Sequence, residues 1–202
     1  MTTTKEDVAS RAFLMIGANT VSDFTDGSSD ESDLANLLYE ELVQAELGSY
    51  PWNFTKSEVL LSLDATAPLG GEWDSRYRID TRAITVRGVR VEGSNIAYEI
   101  QEDFIHCNAT SADSVYMEFL GRTSEAKWPA YFQLGMVYRL ASDFAGSLAR
   151  DGELVQIYDV KYEKQIRRAR AMDSQSETAR PLRTQRLVKV RQSGSRYFPG
   201  AA

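Results

Sequence analysis

Apolar positions recur every three or four residues at both ends of this chain and every second residue in its middle. Near the start, Val8, Ala12, Met15 and Ile16 share one helical face, and Thr4 with Asp7 three residues on has the form of a capping box. Gly17 suits the position just past the end of that helix. A polar loop follows over 19–29, with Asp26-Gly27 as its turn signal, and Ser28 with Glu31 opens a second helix. Its pattern places Leu34, Leu37, Leu38, Leu42 and Ala45 inward and Glu40, Glu41 and Glu46 outward. The helix runs straight into Tyr50-Pro51-Trp52-Asn53-Phe54. Pro51 has no N–H to donate and pushes Tyr50 out of the α region, so the helix stops there with large aromatics planted just beyond its end.

Past that break the period falls towards two. Val59–Leu63, Ile84–Val91, Ile96–Ile100, Phe104-Ile105 and Val115–Leu120 are short β-branched or aromatic runs, separated by turns at 92–95 and 109–114, which predicts an antiparallel meander of about five strands. Pro68-Leu69-Gly70-Gly71 lies outside any strand–glycine–helix context and predicts a plain turn. At Trp128-Pro129 the helical period returns, with Pro129 expected at the first helical position. Phe132, Met136, Leu140 and Phe144 recur every four residues among Gly135, Ala141, Ala145, Gly146 and Ala149, small residues that allow close helix approach. After Arg150-Asp151-Gly152, the residues Leu154, Tyr158, Tyr162, Ile166 and Ala169 define a fourth helix, antiparallel to the third. The predicted fold is α+β and mainly helical: helices over 5–17, 30–49, 129–149 and 153–171, with a β-meander insertion over 57–121 between the second and third. Residues 1–172 form one domain. Residues 173–202 form a linker and an extended C-terminal tail.

Charge sharpens this division. Of 202 residues, 43% are hydrophobic and 26% charged, and the formal net charge of −6 conceals a strong asymmetry. Residues 161–202 hold 11 Lys/Arg against 3 Asp/Glu, so the rest of the chain is strongly acidic. Lys164, Arg167, Arg168 and Arg170 are accounted for by the dipole at the end of the fourth helix. That does not cover the cations from Arg180 to Arg196. Residues 173–179 are Ser/Gln/Glu-rich and aperiodic, which predicts a flexible linker. Beyond it, Leu182, Thr184, Val188 and Val190 alternate with Arg183, Lys189 and Arg191, an extended pattern with too little apolar surface to fold alone. It ends in Tyr197-Phe198-Pro199-Gly200, an aromatic plug suited to a pocket on a partner. The docking candidates are therefore Arg180, Arg183, Arg186, Leu187, Val188, Lys189, Val190, Arg191, Arg196, Tyr197 and Phe198.

Catalytic chemistry has little to rest on. The single histidine, His106, and the single cysteine, Cys107, are adjacent in a strand-like run, where neighbouring side chains point to opposite faces rather than converge. Glu40-Glu41 and Asp30-Glu31 fall on a solvated helix face. No P-loop, Rossmann fingerprint, G-x-S-x-G or H-E-x-x-H occurs, so a non-enzyme without metal or cofactor is expected. No basic leader followed by an apolar stretch and no run of about 18 apolar residues is present, so neither a secretion signal nor a membrane span is expected. The basic tail admits one alternative, a DNA-binding or DNA-packaging accessory protein, with its arginines on phosphates and Tyr197 and Phe198 as a stacking surface. The acidic remainder opposes it, and Leu187-Val188-Lys189-Val190 better suits strand addition to a protein edge.

The ordered landmarks resemble the head-to-tail adaptor proteins of tailed bacteriophages, the tail tubular protein A and tail accessory factor types. They comprise Arg11-Ala12-Phe13-Leu14-Met15-Ile16-Gly17-Ala18, Leu47-Gly48-Ser49-Tyr50-Pro51-Trp52-Asn53-Phe54, Trp73 with Tyr77, and Val115-Tyr116-Met117-Glu118-Phe119 before Trp128-Pro129. Leu140-Ala141-Ser142-Asp143-Phe144-Ala145 and the Tyr162 helix complete the set, which covers roughly residues 8–172. The resemblance implies a structural virion protein of the head–tail junction, assembled in the host cytoplasm as a homo-oligomeric, dodecameric ring under the portal protein. Such a ring continues the channel through which genomic DNA passes without sequence-specific binding, and carries the downstream tail or nozzle protein. It also implies that the C-terminal segment reaches the portal; about 20 extended residues span on the order of 65 Å. The loop from Asp64 to Asp74 is long for the pattern.

Overall fold

The computed structural model describes residues 3–176, apart from 26, 28, 67, 69, 70 and 111. The chain is an α+β protein whose described part contains four α-helices and seven strands: α1 (Lys5–Met15), α2 (Asp30–Ser49), β1 (Lys56–Leu60), β2 (Ser75–Arg78), β3 (Ala83–Val91), β4 (Ser94–Asn95), β5 (Tyr98–Gln101), β6 (Phe104–Cys107), β7 (Val115–Gly121), α3 (Ala130–Phe144) and α4 (Gly152–Gln175). Local chemistry sets most helix ends. Thr4 and Asp7 form the reciprocal capping box that begins α1, and Gly17 follows its end at φ +78°, where a side chain would be strained. At α2 the cap is Ser29, whose hydroxyl accepts from the Ser32 N–H, one residue beyond the expected Ser28. Pro129 likewise caps α3 from outside instead of occupying its first turn.

The helices share one apolar cluster centred on α3. Phe132, Met136, Leu140 and Phe144 are all fully enclosed, as the four-residue repeat predicts. Phe13 of α1 stacks on Phe144 with ring centroids 4.3 Å apart and planes 7° from parallel. A Cβ on Gly135 would sit 3.4 Å from Ile166 Cδ1, so the small residue sets how closely α3 and α4 approach. The turn between them is not a simple break: α3 passes at Ala145 into a π-helical turn ending at Ala149. Arg150 then adopts the left-handed region at φ 51°, and Asp151 caps α4 by accepting from the N–H groups of Glu153 and Leu154.

The insertion is antiparallel throughout, but its strands do not follow one another as a single meander. They form two sheets, one ordered β1-β7-β3-β4 and one ordered β2-β6-β5. The first and last strands are neighbours, paired from Lys56 with Leu120 to Leu60 with Tyr116, so the chain leaves the insertion beside the point where it entered. β3 crosses β7 with two register shifts, between Ala83 and Thr85 and between Val86 and Gly88. A second apolar cluster holds the two sheets together, with Tyr77, Val89, Ile105, Cys107, Met117 and Phe119 at its centre. Strand β2, whose sequence Ser75-Arg76-Tyr77-Arg78 carries little β-branched character, is held by pairing with β6.

Two helical expectations change. On α2 the buried residues are Ser32, Ala35, Tyr39, Val43, Glu46 and Leu47, whereas Leu37 and Ala45 face solvent. The inward stripe is thus rotated by about one residue, because Tyr39 and Leu47 reach the core and carry Glu46 in with them. Helix α4 runs to Gln175, so the segment expected to begin the linker, Asp173 to Gln175, is helical. Lys164, Arg167, Arg168 and Arg170 therefore lie within the helix and do not close it, and the last turn carries no basic residue. The corrected α2 face is testable: Leu47→Ala is expected to lower unfolding stability by about 2–5 kcal/mol through loss of buried volume. Leu37→Ala should change it by less than about 0.5 kcal/mol, as at an ordinary surface site. Urea unfolding followed by circular dichroism distinguishes these from the opposite ranking, which the sequence pattern alone would give.

Candidate interaction surfaces

All the tail candidates (Arg180, Arg183, Arg186, Leu187, Val188, Lys189, Val190, Arg191, Arg196, Tyr197 and Phe198) lie outside the described residues. What is described is the C-terminal end of α4. There α4 is fastened to the aromatic segment after α2 through Asp173, which is 1% exposed. The Asn53 N–H donates to Asp173 Oδ2 at 2.9 Å, Asn53 Nδ2 donates to the Asp173 carbonyl at 2.7 Å, and the Tyr131 hydroxyl donates to Oδ1 at 3.1 Å. Burial, and then the hydrogen bond to this carboxylate, pushes the Tyr131 phenol up to about 12, so it remains a donor at any physiological pH. An open cleft of about 460 Å³ adjoins this clamp, lined in part by Tyr50, Asn53, Lys56, Arg90, Glu118 and Asp173.

One wall of the cleft belongs to β1, the outer strand of its sheet. Glu58 and Glu118 stand directly opposite each other on β1 and β7, a like-charge pair that would be unfavourable alone. Arg90 answers it, with Nη2 at 2.6 Å from Glu118 and Nη1 at 4.0 Å from Glu58. Leu60 and Tyr116 form the next pair but one along the ladder, and both are exposed. Charges along an outer strand discourage unspecific pairing of its edge.

Two partly buried polar networks hold the framework behind this surface. Glu46, carried into the core by α2, accepts from the Tyr162 hydroxyl and from Ser49 Oγ, and Arg170 lies 3.7 Å away across the α2–α4 contact. Arg170 also lies over the Tyr50 ring. On the other side of the core, Arg122 joins Glu40 at 2.8 Å to Glu125 at 2.5 Å, and Tyr39 donates to Glu125 at 3.1 Å. Burial pulls the Glu40 carboxyl upward, but its bonds with Arg122 and Gln44 outweigh this and hold it below the usual carboxylate range. Sequence periodicity placed Glu40 and Glu46 on the solvated face; Glu40 is exposed there, whereas Glu46 is buried. No local signal marks their roles, because their partners, Arg122 and Tyr162, lie 82 and 116 positions away.

Cys107 is fully enclosed, and burial pushes its thiol up to about 11, so at neutral pH it is an inaccessible, protonated thiol. His106 is buried beside it with Nδ1 unpaired. Among the described residues no group of three or more His, Cys, Asp or Glu side chains is placed to hold a metal ion, and no helix is long and apolar enough to cross a membrane. The chain matches no protein-family model and no curated protein.

Two predictions test this framework. Asp173→Ala is expected to cost about 1–3 kcal/mol of stability, because it strands the Asn53 N–H and the Tyr131 hydroxyl; the measurement is the urea midpoint at neutral pH. Asp143 tests the interior electrostatics. Arg139 Nε lies 3.2 Å from its Oδ2 without aiming a hydrogen bond at it, and burial, reinforced by nearby Asp159, raises the carboxyl above its usual range. A carboxyl raised in the folded state contributes its full stability below the unfolded value of about 3.9 and loses it as pH rises through the folded value. Asp143→Asn is therefore expected to raise the melting temperature at pH 7 relative to the parent chain and to lose this advantage at the acid end, as followed by thermal melts across pH.

Proposed function

We propose that this protein is a structural, non-enzymatic adaptor of the head–tail junction of a tailed bacteriophage, a subunit of a dodecameric ring seated under the portal. The observation that carries the proposal is the ordered landmark set resembling that family, and each of its principal landmarks has a structural role that is now visible. Phe13 in the first landmark stacks on Phe144 in the Leu140–Ala145 landmark, and Tyr50–Phe54 forms the junction between helices and sheets. Trp128 closes the insertion against α3. The four-helix core with an antiparallel insertion between its second and third helices supports the same assignment. In this role the body makes the ring, the ring continues the DNA channel, and the C-terminal segment from Arg180 to Phe198 docks on the portal. An acidic body suits a channel along which DNA slides without adhering, by like-charge repulsion.

The test is truncation. Both apolar clusters are built from described residues that end at Ala169, so deletion of residues 180–202 is expected to leave the melting temperature nearly unchanged. The same deletion should abolish co-sedimentation with the portal protein. Exposed charges contribute about 0–1 kcal/mol each, so Arg186→Ala should be mild, while Val188→Pro or the double change Tyr197→Ala, Phe198→Ala should impair docking more than any single arginine. A truncated chain that still co-sediments with portal rejects the tail as the attachment. If instead the full chain binds duplex DNA with an affinity falling log-linearly with salt, and the truncated chain does not, the DNA-binding alternative takes its place.

A further inference from the structure

Two solvent-facing helix rows carry complementary chemistry. On α2, Asp33, Leu37, Glu41 and Ala45 stand four residues apart along one face, all exposed. On α4, Val160, Lys164, Arg168 and Met172 do the same, with Ile157 exposed alongside. Leu37 is 73% exposed and Val160 67%, more than any other large hydrophobic residue among those described. Many of the other charges on these helices are already engaged: Glu40 with Arg122, Arg167 with Glu163, Arg170 with Glu46, and Lys161 over the Tyr158 ring. Asp33 and Glu41 on one row, and Lys164 and Arg168 on the other, have no ion-pair or side-chain hydrogen-bond partner among the described residues.

We infer that the α2 row of one copy of this chain packs on the α4 row of the next copy. The occupant follows from charge. Helix α2 contains six acidic residues and no basic one, so two α2 rows repel each other. Two α4 rows, each presenting Lys164 and Arg168 without partners, do likewise. Only α2 against α4 brings the unpaired carboxylates to the unpaired cations while covering Leu37 and Val160. The rows match in extent, since each spans twelve residue steps of helix, about 18 Å. A contact between two different faces of identical chains is heterologous and propagates from copy to copy, closing only if the rotation per subunit permits. That closure rests on the ring proposed above; the contact itself does not. Surface ion pairs are individually weak and screened by salt, so the contact should form at high local concentration and weaken with ionic strength.

The test uses copies of the full chain that each carry one introduced cysteine, Leu37→Cys in one and Val160→Cys in the other, treated with a short bismaleimide. The native Cys107 is enclosed and does not compete. The equimolar mixture is expected to yield cross-linked dimer several-fold above either variant alone. Adding Glu41→Lys and Asp33→Lys to the Leu37→Cys copy should remove that excess. Adding Lys164→Glu and Arg168→Glu to its partner should restore it, with circular dichroism confirming that the exposed substitutions leave the fold intact. Cross-linking of either variant alone at the level of the mixture, or no excess in the mixture, overturns the α2–α4 contact. Should rings still form by light scattering when that excess is absent, the contact is wrong and the adaptor proposal stands. A chain that stays monomeric both alone and with portal defeats the adaptor proposal itself.

Discussion

The structure depends on what happens in the five residues after α2. Pro51 ends the helix by removing a donor and redirecting the chain, and Trp52 immediately enters the core, fully buried. Its ring packs edge-on against Tyr50 and Phe132, with Phe54 tilted beside it, and its indole N–H donates to the Glu46 carbonyl in the last turn of the helix, which Ser49 Oγ also reaches. One side chain thus fills the apolar centre and caps the helix that precedes it. Aromatic pairs of this kind contribute about 0.5–1.5 kcal/mol beyond their buried area, and this cluster contains several. Because Thr55 follows at once into β1, the same anchor fixes where the insertion begins.

From that anchor the rest is constrained. The pairing of β1 with β7 returns the chain to Thr123, whose hydroxyl donates to the Phe54 carbonyl and whose own carbonyl accepts from Trp128. Trp128 meets Phe132 edge-on at 5.1 Å, so the exit of the insertion and the start of α3 are fastened to the residues at its entrance. The end of α4 arrives at the same place through Asp173 and Arg170. Helices and sheets keep separate apolar clusters and meet around this region, with Ile84 of β3 also packed on the helical cluster.

The polar interior has a consistent logic. Glu46, Glu125 and Asp173 are each almost enclosed, and each meets a phenol: Tyr162, Tyr39 and Tyr131 respectively. A carboxylate taken out of water is tolerable only when its oxygens are supplied with donors. The phenols supply them from neighbouring helices, so each pair also fixes one element against another. By contrast, Asp33, Glu41, Lys164 and Arg168 remain solvated, which leaves them available to another chain.

Local pattern by itself determined the capping box of α1, the stop at Pro51, the four-residue repeat of α3 and the existence of four helices around a β insertion. These depend on neighbours within a few residues, and such neighbours are legible in one dimension. The tertiary structure decided what depends on distant partners. The inward face of α2 lies one residue from the pattern because Tyr39 and Glu46 find Glu125 and Tyr162 far along the chain. Helix α4 outlasts its apolar repeat because Asp173 is held by Asn53, 120 positions earlier. The strands divide into two sheets because β1 pairs with β7 and not with its successor, a choice that alternation cannot encode, since every strand presents the same period of two. The candidate docking residues from Arg180 to Phe198 rest on sequence alone, whereas the unpaired rows on α2 and α4 stand out against the partners that Glu40, Glu46 and Arg170 take far along the chain.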